Sequence, residues 1–156
     1  MAEYEFLTTW SLDAPIEDVF DLLNDAAGYP RWWKGVVSVE VLAPGDETGV
    51  GQVDRLVWRS VLPYSLGFDV KATQIRRPYL IEGHASGELE GVGTWRLYQG
   101  EGVAVVYHWQ ARTTKRWMNI LGPLSRPAFS WNHDVVMRQG GTGLAAELGT
   151  KLLLHD

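Results

Sequence analysis

The feature that most constrains the fold is a series of short segments between residues 36 and 112 in which apolar residues alternate with polar residues or glycine. From Leu66 to Thr73, for example, apolar residues at even positions alternate with polar residues or glycine at odd positions. A period of two is typical of half-buried strands. Tight-turn signals such as Gly100-Glu101-Gly102, and in this interpretation also Gly91-Val92-Gly93, separate the segments. Short strands joined by tight turns predict an antiparallel meander.

The residues before this meander predict one strand and two short helices. Glu3–Leu12 alternates, with Tyr4, Phe6, Thr8, Trp10 and Leu12 on one face. A helix is expected to begin at Asp13-Ala14-Pro15, because proline is well tolerated in a first turn. Its apolar residues follow at i, i+3, i+4 and i+7 from Ile16 to Leu23. Pro30-Arg31-Trp32-Trp33 predicts the second short helix.

The last third of the chain predicts one long amphipathic helix. Its apolar face, read at 100° per residue, comprises Trp117, Ile120, Leu121, Leu124, Ala128, Trp131 and Val135. Pro123 and Pro127 predict a kink or two consecutive helical pieces, and we ask whether they gate a cavity. The glycines at positions 140, 141 and 143 predict that the C-terminal end of this helix is less stable.

This order of elements predicts an α+β helix-grip fold in a single domain, residues 1–156. A curved antiparallel sheet would wrap around the long C-terminal helix, with two short helices after the first strand. A curved sheet and a straight helix cannot touch along their whole length. The space between them must therefore hold large side chains, water or a ligand.

Composition excludes several classes of function. Fourteen Lys and Arg against 19 Asp and Glu give a formal charge of −5, which disfavours nucleic acids and anionic membrane surfaces. The chain has no cysteine, so thiolate metal sites and cysteine nucleophiles are ruled out. No signal-peptide pattern and no apolar run of 18 residues is present, which predicts a cytoplasmic protein without stable membrane insertion. Eight Trp, six Tyr and four Phe indicate that something large and apolar is enclosed.

Several sequence segments resemble a known superfamily. The opening WSLDAPIEDVFDLLNDAAGYPRWWKGV resembles the first strand and helix pair of the SRPBCC superfamily, which includes START-type lipid-transfer domains, pollen-allergen-like proteins and bacterial polyketide cyclases. The segments GELEGVGTWRL, HWQARTTKRWMN and WNHDVVMRQGGTGLAAEL resemble bacterial polyketide cyclase/dehydrase-type proteins. The resemblance covers nearly the whole chain and implies a deep apolar pocket between sheet and long helix. It supplies no catalytic set that can be placed on these residues.

Polar residues with catalytic or metal-binding chemistry are sparse in the sequence. His84 shares a face with Glu82, Ser86 and Glu88, which suits either an acid/base group or, as we favour, the solvent face of a strand. His108 alternates out of phase with its apolar neighbours, and His133 lies almost opposite Leu124 on the helical wheel. Both are therefore expected to face away from the cavity. The four histidines lack metal-ligand spacing, and no nucleotide-binding or nucleophile motif is present, so we expect neither a metal nor a cofactor.

The aromatic residues are the main candidates for a ligand-binding surface. Either they form an ordinary core, or part of their surface lines a pocket with a few polar groups that orient a guest. Inward parity and the helical wheel assign ligand contact to Trp58, Phe68, Leu89, Trp95, Tyr107, Trp109, Trp117, Leu121, Leu124 and Trp131. Tyr107 is also the weak catalytic candidate. Arg55 and Arg59 are taken to point outward, because a buried unpaired charge is costly.

Three functions compete at this level. The first is binding or transport of a hydrophobic small molecule, such as a lipid, isoprenoid or polyketide, in the cavity. The second is a polyketide aromatase/cyclase-type enzyme that uses the same cavity, with Tyr107 relaying protons. The third is an interaction module whose cavity has filled with side chains. Each of these functions is compatible with a homodimer, and the sequence does not determine the oligomeric state.

Overall fold

The computed structural model describes residues 3–114 and 122–156, with side chains described from Arg126 onward in the second segment. The strands are β1 (Glu3–Leu12), β2 (Val36–Ala43), β3 (Val53–Trp58), β4 (Leu66–Arg76), β5 (Leu80–Gly87), β6 (Leu89–Gln99), β7 (Val103–Thr113) and β8 (Leu152–His155). The helices are α1 (Ile16–Asn24), α2 (Tyr29–Trp32) and α3 (Gly122–Glu147), with a 3-10 turn at Ala26–Gly28 between α1 and α2.

The eight strands form one curved antiparallel sheet in the order β2-β3-β4-β5-β6-β7-β1-β8. Consecutive strands pair with each other from β2 through to β7, as the tight-turn signals predict. β1 closes the meander by pairing with β7 along its whole length, from Glu3 opposite Arg112 to Leu12 opposite Val103. The long C-terminal helix and the two short helices after β1 confirm the predicted helix-grip fold.

Three predicted boundaries differ from the structure. Gly91-Val92-Gly93 lies inside β6, and the β5–β6 turn is at residues 87–89. A side chain at position 93 would collide with Tyr107, whose hydroxyl oxygen lies 2.6 Å from an ideal Cβ there. That glycine therefore leaves room for the Tyr107 ring of the neighbouring strand and does not make a turn. The sequence pattern predicts a strand from Gln52 to Leu62, whereas β3 ends at Trp58. The C-terminal segment Leu152–His155, in which apolar and polar residues do not alternate, forms a strand that pairs with β1.

The far end of α3 is continuous, and the prediction that its glycines loosen it is wrong. The helix runs to Glu147, and the backbone at Gly143 packs directly on α2. An ideal Cβ at position 143 would lie only 1.8 Å from the carbonyl oxygen of Trp32. The indole Nε1 of Trp33 donates a hydrogen bond of 2.8 Å to the carbonyl of Val136. Helix α3 is thus held against the short helix pair by contacts that only small residues permit.

Candidate functional site

A cavity lies between the inner face of the sheet and helix α3. Its walls come from β3–β7, from the α1–α2 region and from α3, and its volume is about 210 Å³. A single water needs roughly 10–15 Å³ of such space, so the cavity can take an organic guest or many waters. The side chains that border its central part are Leu56, Trp58, Val70, Ile81, Trp95, Tyr107, Val136 and Met137.

The structure places the six predicted strand residues on this cavity. They are Trp58, Phe68, Leu89, Trp95, Tyr107 and Trp109. Trp117 and Leu121 lie outside the described residues, and so does the side chain of Leu124. Whether these side chains contact a ligand stays a prediction.

The prediction for Trp131 is wrong. Its side chain is 56% exposed and does not border the cavity. The cavity-facing residues of α3 are instead Phe129, Asn132, His133, Val136 and Met137, which recur at spacings of three and four. The helical wheel centred the inward face on Leu124, whereas the residues of α3 that border the cavity lie on a different face of the helix.

The same correction moves His133 from the solvent side to the cavity. Its ring stacks on Phe6 of β1, with centroids 3.9 Å apart and planes 11° apart. Its Nε2 is buried and has no hydrogen-bond partner within residues 3–114 and 126–156. Burial lowers the pKa of His133 to about 4, a shift that Asp134 opposes and His155 reinforces. The imidazole is therefore neutral at physiological pH.

Aromatic rings form one continuous wall of the cavity. Trp95 and Tyr107 lie 4.1 Å apart between ring centroids, and Tyr107 in turn stacks on Trp109 at 6.4 Å. Phe68 extends the row by stacking on Trp109 at 6.1 Å. The Tyr107 hydroxyl has no hydrogen-bond partner among the described residues. Burial raises the pKa of Tyr107, so this hydroxyl can donate a hydrogen bond to a guest but stays protonated at neutral pH.

The part of the cavity near the start of β3 is polar, and it was not predicted from the sequence. This part is called the polar end. Asp54 borders the cavity together with Gln52, whose Nε2 donates a hydrogen bond of 2.9 Å to Asp54 Oδ1. Partial burial raises the pKa of Asp54, while the Gln52 hydrogen bond opposes the shift and Asp25 adds to it. The signal was available, because Asp54 shares strand parity with the inward residues Leu56 and Trp58.

Tyr29 marks the boundary between the polar end and the aromatic wall. Its hydroxyl donates a hydrogen bond to the carbonyl of Leu23. Burial above all, and then the proximity of Tyr107 and Asp54, raise the pKa of Tyr29. Tyr29, Asp54 and Tyr107 all border the cavity.

Besides Asp54, Glu82 borders the cavity, and the charged residues that form exposed ion pairs lie on the outer surface. Arg55 points outward as predicted and forms an ion pair with Asp69 at 2.9 Å. The exposed His84 and His108 also lie on the outer face, as expected, and His108 contacts Glu5. Among residues 3–114 and 122–156, no group of three His, Asp or Glu side chains is placed to hold a metal ion. None of the helices in these ranges is long and apolar enough to cross a lipid bilayer.

Comparison with known proteins gives one family match. The model of the family described as polyketide cyclase/dehydrase and lipid transport matches residues 12–138. No curated protein matches the chain significantly.

Solved structures share the fold at low sequence identity. The di-domain ARO/CYC BexL from the BE-7585A biosynthetic pathway has a TM-score of 0.76 at 18% identity, over 96% of this chain and 51% of BexL, so the chain spans about half of that protein. The Zhui aromatase/cyclase from Streptomyces sp. R1128 has a TM-score of 0.73 at 17% identity, over 94% of both chains. A START superfamily protein from Mycobacterium smegmatis has a TM-score of 0.73 at 11% identity, over 96% of this chain and 98% of that chain.

Proposed function

Because the chain belongs to the polyketide cyclase/dehydrase and lipid transport family, we propose that it binds a hydrophobic small molecule in the cavity between the sheet and α3. A lipid, an isoprenoid or a polyketide would suit this space. The observation that carries the proposal is the aromatic wall of Phe68, Trp95, Tyr107 and Trp109, which borders the open volume of the cavity. A guest that buries 300 Å² of apolar surface there gains roughly 7.5 kcal/mol before the cost of association.

The alternative function, an aromatase/cyclase-type enzyme, would require catalytic groups in the same cavity. The Tyr107 hydroxyl has no hydrogen-bond partner in the part of the chain that the structure describes, and its raised pKa suits it to polarise a carbonyl, not to remove a proton. An aromatase/cyclase that relied on Tyr107 would therefore need a different base. Two groups that border the cavity could accept a proton: the Asp54 carboxylate, and the neutral His133, whose Nε2 has no hydrogen-bond partner in the described parts of the chain.

Native mass spectrometry of gently purified protein tests the binding proposal. We expect a mass increment from a co-purifying apolar guest, or from an added neutral lipid, that is lost in Ala72→Phe. Ala72 borders the cavity, so the new ring would occupy the space of the guest. Lys71→Phe is the matched control, because it adds the same ring at a neighbouring exposed position. Equal loading of both variants, or no guest on any form, would contradict the proposal.

Two further expectations accompany this function. The same spectra report whether the chain forms the homodimer that the sequence leaves open. A cytoplasmic location would give such a carrier access to newly made ligands, and cell fractionation with an antibody to the chain would test it.

A further inference from the structure

The formally charged residues that border the cavity, among those described, are all acidic. Among the described residues that line it, none is a lysine or arginine. The described arginines that form ion pairs do so on exposed surface, as Arg55 does with Asp69 and Arg77 with Asp21. Glu82 also borders the cavity, but its carboxylate is engaged by the Thr73 hydroxyl at 2.8 Å and lies 3.6 Å from His84. Asp54 is therefore the carboxylate that a guest would meet.

The cavity is also polarised along its length. Strand β3 pairs with β4 so that Asp54 is opposite Val70, Leu56 opposite Phe68, and Trp58 opposite Leu66. Four residues of strand correspond to about 13 Å, so the inner face passes from a carboxylate to an apolar end over that distance. The buried apolar residues that border the cavity toward that end are Leu66, Leu89, Trp109 and Phe129, and the uncharged Asn132 and His133 of α3 also border the cavity. Such a lining orients an elongated guest.

The hydrogen bonding of Asp54 determines which chemical groups of a guest can bind at the polar end of the cavity. Its Oδ1 receives the Gln52 amide, while its Oδ2 has no hydrogen-bond partner among the described residues. A carboxylate oxygen is an acceptor only, so it recognises a donor. A second anion placed beside it would be repelled in a partly desolvated site with no cation nearby.

We propose that the cavity selects an amphiphile whose polar end is a hydrogen-bond donor, a hydroxyl or an amine, seated at Asp54. Its apolar tail lies toward Phe68 and Trp109, and guests that end in a carboxylate or a phosphate are discriminated against. This inference rests on the proposed binding function and adds the chemical class of the ligand.

Calorimetric titration with three ten-carbon probes below their micellar concentrations tests the inference. The probes are 1-decanol, decylamine and decanoate, which share a tail and differ only in the polar end. At pH 8, about four units above the ordinary pKa of an aspartate, we expect decanol and decylamine to bind at least tenfold more tightly than decanoate. In Asp54→Asn the ratio of the decylamine affinity to the decanoate affinity should fall at least tenfold. Glu101→Gln removes an exposed carboxylate in the β6–β7 turn and should keep the wild-type ratio.

The outcomes separate this inference from the proposed function. Decanoate binding as tightly as decanol, or an unchanged ratio in Asp54→Asn, would overturn the head-group assignment while leaving a hydrophobic carrier intact. Failure of all three probes to bind would overturn both.

Discussion

The neutral, cavity-facing His133 makes the stability of the fold depend on pH in a specific way. Its pKa is lowered from 6.5 to about 4 in the folded protein, chiefly because the ring is buried against Phe6. Between these two values the unfolded chain binds a proton that the folded chain does not. The contribution of His133 to stability is therefore complete above pH 6.5 and is lost as pH falls toward 4.

The size of this effect follows from the shift. Each pKa unit is worth about 1.36 kcal/mol, so lowering the pH from 7.5 to 4.5 should remove about 2.5 kcal/mol of folding free energy through His133 alone. Carboxylates titrate in the same range, so the wild-type curve by itself does not isolate the histidine. In His133→Phe the ring stack on Phe6 is retained and the titrating group is gone.

Urea unfolding of both proteins at pH 7.5 and pH 4.5 measures the difference. We expect the wild type to lose about 2.5 kcal/mol more than His133→Phe between the two pH values. His84→Phe controls for removing an exposed imidazole from the surface. Equal losses in the wild type and His133→Phe would refute the placement of His133 inside the cavity.

Two further substitutions test how α3 is docked. Gly143→Ala would normally stabilise a helix by about 1 kcal/mol, but its Cβ would lie 1.8 Å from the Trp32 carbonyl oxygen, so we expect a loss of at least about 2 kcal/mol in urea unfolding. Thr142→Ala, exposed on the same turn, should change stability by less than about 0.5 kcal/mol, and a stabilised Gly143→Ala would contradict the close contact. Trp33→Phe removes the donor to the Val136 carbonyl and should cost about 1–3 kcal/mol by the same assay, whereas an unchanged midpoint would show that this hydrogen bond does not hold α3.

The architecture could be predicted because its signals are local. Alternation along β1, β4 and β7, and the i, i+3, i+4 pattern of α1, depend on neighbouring residues in the sequence. The strand residues of the cavity followed directly from that parity. Superfamily resemblance added the order of elements and the expectation of a pocket.

The features that the sequence did not reveal depend on distant contacts. Gly143 is required by a carbonyl in α2, and the glycine at position 93 is required by the ring of Tyr107 on the next strand. Nothing near either glycine in the sequence reports these neighbours. The inward face of α3 was misplaced because the helical wheel was drawn through apolar residues only, whereas the polar Asn132 and His133 also border the cavity. Asp54 was overlooked because a carboxylate in a strand is normally interpreted as solvent-facing, although its parity with Leu56 indicated otherwise.

The tryptophan indoles provide the most direct test of the central claim, that an apolar guest occupies the space beneath α3. In nitrogen-15 NMR spectra recorded during titration with 1-decanol, the indole signals of Trp58, Trp95 and Trp109 should shift, because these rings border the cavity. The exposed Trp131 should stay in place. Shifts at Trp131 with the other three unchanged would contradict the account, because they would place the guest on the outer surface.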